Sequence, residues 1–176
     1  MKIVAGALAV LLASVMTAGA ATATATPAPA EPEGSLVGAA GGKLGEIFGP
    51  LAGDPVRFTV DAKGTPGKVG GTFHVLHTKP DGGAFAEFSG KVDCLVSAHG
   101  QAVVTGIVER EALPGLPPGT SIIGKRIGLS VDDRGRHGDR IGWSWFTGGF
   151  VSTLPCTSTV PFFTTTTGDY KVRSMF

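Results

Sequence analysis

The chain has 176 residues, with 15 Lys plus Arg against 14 Asp plus Glu and a formal net charge of +1. That balance carries no electrostatic footprint for nucleic acid or for an anionic membrane surface. The length suits one domain with a sizeable core, and the two cysteines allow a single internal pairing.

The N-terminus reads as an export signal. Lys2 precedes an apolar run, IVAGALAVLLASVM over residues 3–16, that is shorter than the ~20 residues a bilayer span requires. Ala18-Gly19-Ala20 fits an A-x-A cleavage site, so residues 1–20 are expected to form a signal peptide. Ala23-Thr24-Ala25 offers an alternative cut after residue 25. An uncleaved anchor is the other reading of this run. No cysteine lies near the cut and no twin arginine precedes it, which favours the general secretory route. Loss of Lys2 leaves 14 basic against 14 acidic residues. No later segment is apolar for 18 consecutive residues, so no membrane span is expected after cleavage. In a secreted, extracellular chain Cys94 and Cys156 are expected to form a disulfide worth about 4 kcal/mol on the chain-entropy model. Two buried thiols are the alternative.

Residues 21–53 are expected to be a linker. The stretch ATATATPAPAEPEGS is low-complexity and has nothing to bury. In LVGAAGGKLGEIFGPLAGDP the residues Leu36, Ala40, Leu44, Ile47, Phe48 and Leu51 fall near helical spacing, but seven glycines between 34 and 53 oppose a helix. A loosely ordered segment with a short turn near 43–48 follows.

From residue 54 onward the apolar period is two, and 54–176 reads as a β-domain. Val56, Phe58 and Val60 share a face, as do Val69, Phe73 and Val75. In AFAEFSGKVDCLVSA, residues 84–98, the even positions are apolar and the odd ones mostly polar, which turns Val92, Cys94 and Val96 inward. Gly90 marks a bulge or bend. His99-Gly100 reads as a two-residue hairpin turn with positive φ at both residues. That turn pairs 98 with 101, 96 with 103, 94 with 105 and 92 with 107. Residues 110–121, with three prolines and two glycines, form a loop. Ile127, Leu129 and Val131 share a face, then Ile141, Trp143 and Trp145. The threonine-rich stretch 147–168 is irregular and pinned by Cys156, and DYKVRSMF is a final strand with Tyr170 and Val172 inward. The expected fold is all-β: an antiparallel meander of about seven strands closing into a barrel or a sandwich, with one disulfide.

The pieces FTVDAKG, GKVDCLVSAHGQAVVTGIV, SVDDRGRHGDRIGWSW, the Pro155-Cys156 pair and GDYKV, spread over residues 56–176, resemble a group of secreted actinobacterial proteins. These are labelled repetin-like and are related in pattern to the post-COAP type of surface β-domain. The resemblance implies an exported, disulfide-linked all-β domain and no activity, so no catalytic residue is carried over. His99-Gly100 departs from the Gly-Asn or Asn-Gly turn usual in that group.

The densest polar stretch is VDDRGRHGDR. Asp132, Asp133 and Asp139 are the candidate metal ligands, as hard oxygen donors. They lack the spacing and terminal glutamate of a calcium loop, and Arg134, Arg136 and Arg140 would repel a cation. A hairpin turn explains the stretch better: Gly135 and Gly138 supply positive φ, and the aspartates bond nearby amides. Trp143 and Trp145 are candidate ligand-stacking residues, although period-two apolar residues in a strand are normally core. His74 and His77 are three apart, which on a strand points them to opposite faces. Glu87 and Asp93 lie about 20 Å apart along one strand, beyond the roughly 5–9.5 Å of a glycosidase pair. No G-x-S-x-G nucleophile elbow occurs, and no catalytic residue or cofactor is assigned. Asparagine is absent and Gln101 is the single glutamine, which disfavours lectin-like recognition.

Three functional readings follow. The first is a secreted non-enzymatic β-module with an extracellular binding or structural role, its partner and oligomeric state unassigned. The second is a small extracellular hydrolase or sugar-acting enzyme with a site assembled across strands. The third is a β-barrel holding a small ligand. An apolar cavity with a few polar groups would favour the third, and an acid and a histidine in hydrogen-bond reach in a cleft would favour the second.

Overall fold

The computed structural model describes residues 32–176. The expected signal peptide and the first part of the expected linker lie outside them. Nine strands form one antiparallel sheet curled into a half-barrel: β1 (Gly34–Lys43), β2 (Pro55–Thr65), β3 (Lys68–Thr78), β4 (Ala84–Ala98), β5 (Gln101–Ala112), β6 (Arg126–Asp132), β7 (Arg140–Trp143), β8 (Phe163–Thr164) and β9 (Thr167–Arg173). The order across the sheet is β8-β7-β6-β5-β4-β3-β2-β1-β9. Every neighbour is also a sequence neighbour except β9, which returns to pair with β1.

The first of the two additional strands corrects the linker boundary. Residues 34–43 belong to the β-domain, pairing with β2 on one side and β9 on the other. Leu36, Ala40 and Leu44 are buried. Their spacing of four satisfies a two-residue period as well as a helical one. Glycine is what makes the strand possible here. A Cβ on Gly38 would collide with the Asp169 carbonyl of β9, and one on Gly41 with the Val56 carbonyl of β2. Residues 46–51, near the expected turn, form short 3-10 turns broken at Gly49. The second additional strand, β8, is two residues long.

The His99-Gly100 turn is as expected, with φ of 51° and 78°. Its register holds for Ala98–Gln101, Val96–Val103 and Cys94–Thr105. The inward assignment of Cys94 and Val96 does not hold. The register shifts between Val92 and Cys94, where Asp93 is the extra residue, and Val92 pairs with Gly106. One extra residue exchanges the two faces of a strand. Val92, Leu95 and Ser97 are therefore buried, while Val96 is 43% exposed.

Cys94 and Cys156 form the disulfide across a separation of 62 residues. It joins the sheet to an irregular strap, residues 149–162, that runs over the outer face of β5, β6 and β7. Gly128 and Gly142 let the strap backbone approach, since a Cβ at either would strike the carbonyls of Thr157 and Val160. Ser130 Oγ donates to the Thr159 carbonyl at 2.6 Å. Beneath the disulfide, Thr105 Oγ1 accepts from the Cys156 amide at 3.1 Å and donates to Asp93 at 2.7 Å. Arg126 Nε holds the other Asp93 oxygen at 2.7 Å.

The core fills the concave face. Phe58, Val60, Phe73, Val75, Phe88, Val104, Leu129, Val131 and Ile141 are buried there. Tyr170, the single tyrosine of the sequence, reaches in from β9 and donates from its hydroxyl to the Phe58 carbonyl at 2.7 Å. Burial pushes its phenol well above the ordinary tyrosine value. The folded state therefore favours the neutral phenol more than the unfolded state does. The stabilisation is complete below about pH 10 and is lost as the pH rises past it. Thermal melts are expected to fall off above about pH 10, and Tyr170→Phe is expected to flatten that decline while costing about 1 kcal/mol at neutral pH. Circular dichroism melts over the alkaline range measure both; an unchanged alkaline slope in the variant would contradict the assignment.

Candidate functional site

The aspartates of VDDRGRHGDR do not gather around a common point for a cation. They close the curl of the sheet. Asp139 is 2% exposed. Its carboxylate accepts from the Tyr170 amide at 2.7 Å and the Arg134 amide at 3.0 Å. Asp133 accepts from the Val172 amide at 3.1 Å and the Gly135 amide at 3.1 Å. The Tyr170 and Val172 amides lie along the free edge of β9, where a further strand would otherwise bond. Two carboxylates stand in for that strand. Asp132 is half-buried and makes no side-chain hydrogen bond among the described residues. Gly135 and Gly138 have φ of 55° and 73°, as the turn requires. Among the described residues no group of three or more His, Cys, Asp or Glu is placed to hold a metal ion.

The two tryptophans lie in a different setting. β7 ends at Trp143, and Trp145 begins a single helical turn, α1 (Trp145–Gly148), rather than extending the strand. Both line a cavity of about 220 Å³ at one end of the half-barrel. Its floor is built from the beginnings of β2 and β4 and the end of β3, through Val56, Phe58, Val75, Ala86 and Phe88. Phe48 and Leu51 from the 46–51 loop form one lip, and Phe146 and Phe150 from α1 and its exit form the other. Phe48 and Phe146 meet edge to face at 5.4 Å. Trp143 stacks on Phe58 at 4.8 Å and Trp145 on Phe150 at 5.6 Å. Such contacts fix ring orientations beyond what area burial alone would do. Trp143, 4% exposed, is at once core and cavity wall.

One ionisable side chain stands among these walls. His77 lines the cavity, and its Nε2 lies 2.8 Å from Asp54 Oδ2. The side chains are only 12% and 7% exposed. Asp54 also ties the loop that carries Phe48: its carbonyl accepts from the Leu44 amide at 2.9 Å and its amide donates to Leu51 at 3.1 Å. Phe85 lies 4.3 Å from the imidazole, ring centroid to ring centroid. It arrives there through a register shift: His77 pairs with Ala86 and Thr78 with Ala84, which leaves Phe85 as the extra residue. His74 is on the outer face with Glu87 at 2.8 Å, so the two histidines do point apart.

Asp54 and the lip phenylalanines are absent from the candidates drawn from sequence, and His77 enters there only as half of an H-x-x-H pair whose members point apart. A signal for His77 exists, because Phe73 and Val75 share its parity and continue the inner face to position 77. Nothing local marks Asp54 or Phe48, whose partners are remote in sequence. Chemically, the arrangement can enclose an apolar molecule and offer it a hydrogen bond at His77. An imidazole held by a carboxylate could also act as a base, but no Ser, Thr, Cys, Lys or Tyr is among the lining residues to serve as its nucleophile.

Compared with known proteins, the chain matches no family model, no curated protein and no solved structure, and nothing in these comparisons ties it to the repetin-like or post-COAP-type domains it resembles.

Proposed function

We propose that the chain is a secreted, non-enzymatic β-module that acts by binding, and that it holds one small apolar molecule at the end of its half-barrel. The supporting observation is the aromatic-walled cavity of about 220 Å³ with a single ionisable side chain in its wall. Interiors are normally close-packed. An apolar pocket with a polar group in its wall is the usual form of a small-ligand site. A purely structural module has no use for it. Export is supported by Lys2 with its apolar run, the A-x-A site and a disulfide of the kind that persists in oxidising compartments. No described helix is long and apolar enough to cross a membrane.

Toluene is expected to bind the mature protein at one site with a saturable isotherm in titration calorimetry. Ala86→Phe places a ring in the cavity and is expected to abolish that isotherm while leaving the circular dichroism spectrum of a folded sheet. Failure of toluene to bind, or equal binding by Ala86→Phe, would refute the proposal. The second reading, a small hydrolase, is favoured by the Asp54–His77 pair. Turnover of a p-nitrophenyl ester, which the binding reading does not expect, would distinguish it.

A further inference from the structure

We infer that the ligand is a small neutral ring compound carrying one hydroxyl, a phenol in chemical class, with its hydroxyl donated to His77 Nδ1. The inference rests on the binding reading above and narrows it. Three observations carry it.

The first is size. A cavity of about 150 Å³ accommodates benzene, so about 220 Å³ has room for one substituted ring and little more. The second is wall chemistry. Phe48, Phe58, Phe88, Trp143, Trp145 and Phe146 present faces and edges at spacings where another ring completes stacked and edge-on contacts. A flexible alkyl chain could fill the same volume, but it would lose rotamer freedom and gain no such contacts.

The third is the state of His77. A carboxylate only accepts hydrogen bonds, so Asp54 requires the proton on Nε2. In the neutral ring Nδ1 is then a lone-pair acceptor. It has no hydrogen-bond partner among the described residues. Among the described residues the unpartnered buried side-chain atoms are Arg140 Nε and Ser158 Oγ, so Nδ1 is accessible, and His77 lines the cavity. An acceptor in an apolar wall selects a ligand with one donor. A cationic ligand would meet no free counter-charge, because Asp54 is already engaged, and burying an unpaired charge is strongly unfavourable.

Four matched probes test the inference in calorimetric titrations of the mature protein at pH 8.5: p-cresol, toluene, p-methylanisole and 1-heptanol. p-Cresol is expected to bind about tenfold tighter than toluene, the usual worth of one hydrogen bond in an apolar setting. p-Methylanisole, which lacks the donor, is expected to match toluene, and 1-heptanol to bind at least about tenfold more weakly than p-cresol. In His77→Phe the advantage of p-cresol over toluene is expected to vanish, while toluene binding itself shows that the cavity is intact. If toluene and p-cresol bind alike, or if 1-heptanol equals p-cresol, the ligand class is wrong and the binding reading survives. If none of the four binds, both fall.

Discussion

Asp139→Ala is expected to lower the unfolding free energy by about 3–5 kcal/mol, enough to unfold much of the population of an average domain on mild heating. The carboxylate accepts two backbone amides, from Tyr170 and Arg134. Hydrogen bonds to a charged group contribute roughly 1.5–3 kcal/mol each. The Tyr170 amide is buried, so the alanine leaves a donor that water does not reach. Asp132→Ala supplies the control. It alters the same stretch of sequence, yet that carboxylate makes no hydrogen bond among the described residues, and a change within about 0.5 kcal/mol is expected. Denaturant unfolding of both variants measures the difference. Equal effects would mean that the two residues serve only as turn-formers and that the edge of β9 is satisfied in another way.

The paired substitution Cys94→Ala with Cys156→Ala is expected to remove about 4 kcal/mol, given the 62-residue separation that the bond closes. The loss has a location as well as a size. The strap at 149–162 is anchored at its ends by Phe150 and Phe162, which pack against the core, but between them it exposes Val151, Leu154 and Val160, so its middle depends on the bond and on a few hydrogen bonds. Amide exchange in the variant is expected to accelerate first across Thr153, Cys156 and Thr157, and only later in β4 and β5. A loss below about 1 kcal/mol, or uniform acceleration over the sheet, would show that the strap is held by other means.

The strand content of residues 54–176 was legible because most of its strands bury one face. Val56, Phe58 and Val60, or Ile127, Leu129 and Val131, can alternate only one way. The hairpin at His99-Gly100 was legible from turn chemistry, and its register followed from it. Face assignment failed where both faces are apolar. In VDCLVSA a single inserted residue exchanges inside for outside without leaving a polar side chain conspicuously in the wrong place. β1 was missed because its inward positions are Leu36 and Ala40 with Gly38 between them and Gly34, Gly41 and Gly42 around them, and glycine opposes a strand as it opposes a helix. The need for glycine there comes from β2 and β9 crowding the backbone, which no local window contains. The site was less legible than the fold. Trp143 and Trp145 stood out by size. Asp54, Phe48 and Phe150 acquire their meaning only when loops separated by nearly a hundred residues meet at one end of the sheet.

The pairing of β1 with β9 has a consequence for the order in which the molecule can be completed. Translation delivers the N-terminal strand early and Tyr170 late. Until β9 arrives, one edge of β1 has no partner and the slot filled by the phenol ring is vacant. The chain changes edges at Thr165 and Thr166, whose amides bond to Asp139 and Gly41 at 2.8 Å each. The final seam is therefore sewn by the last-made strand, with contacts spanning more than a hundred positions. Such long-range closure is intrinsically slow. A nascent chain lacking β9 stays open along that seam, with the Tyr170 slot unfilled and one edge of β1 unpaired.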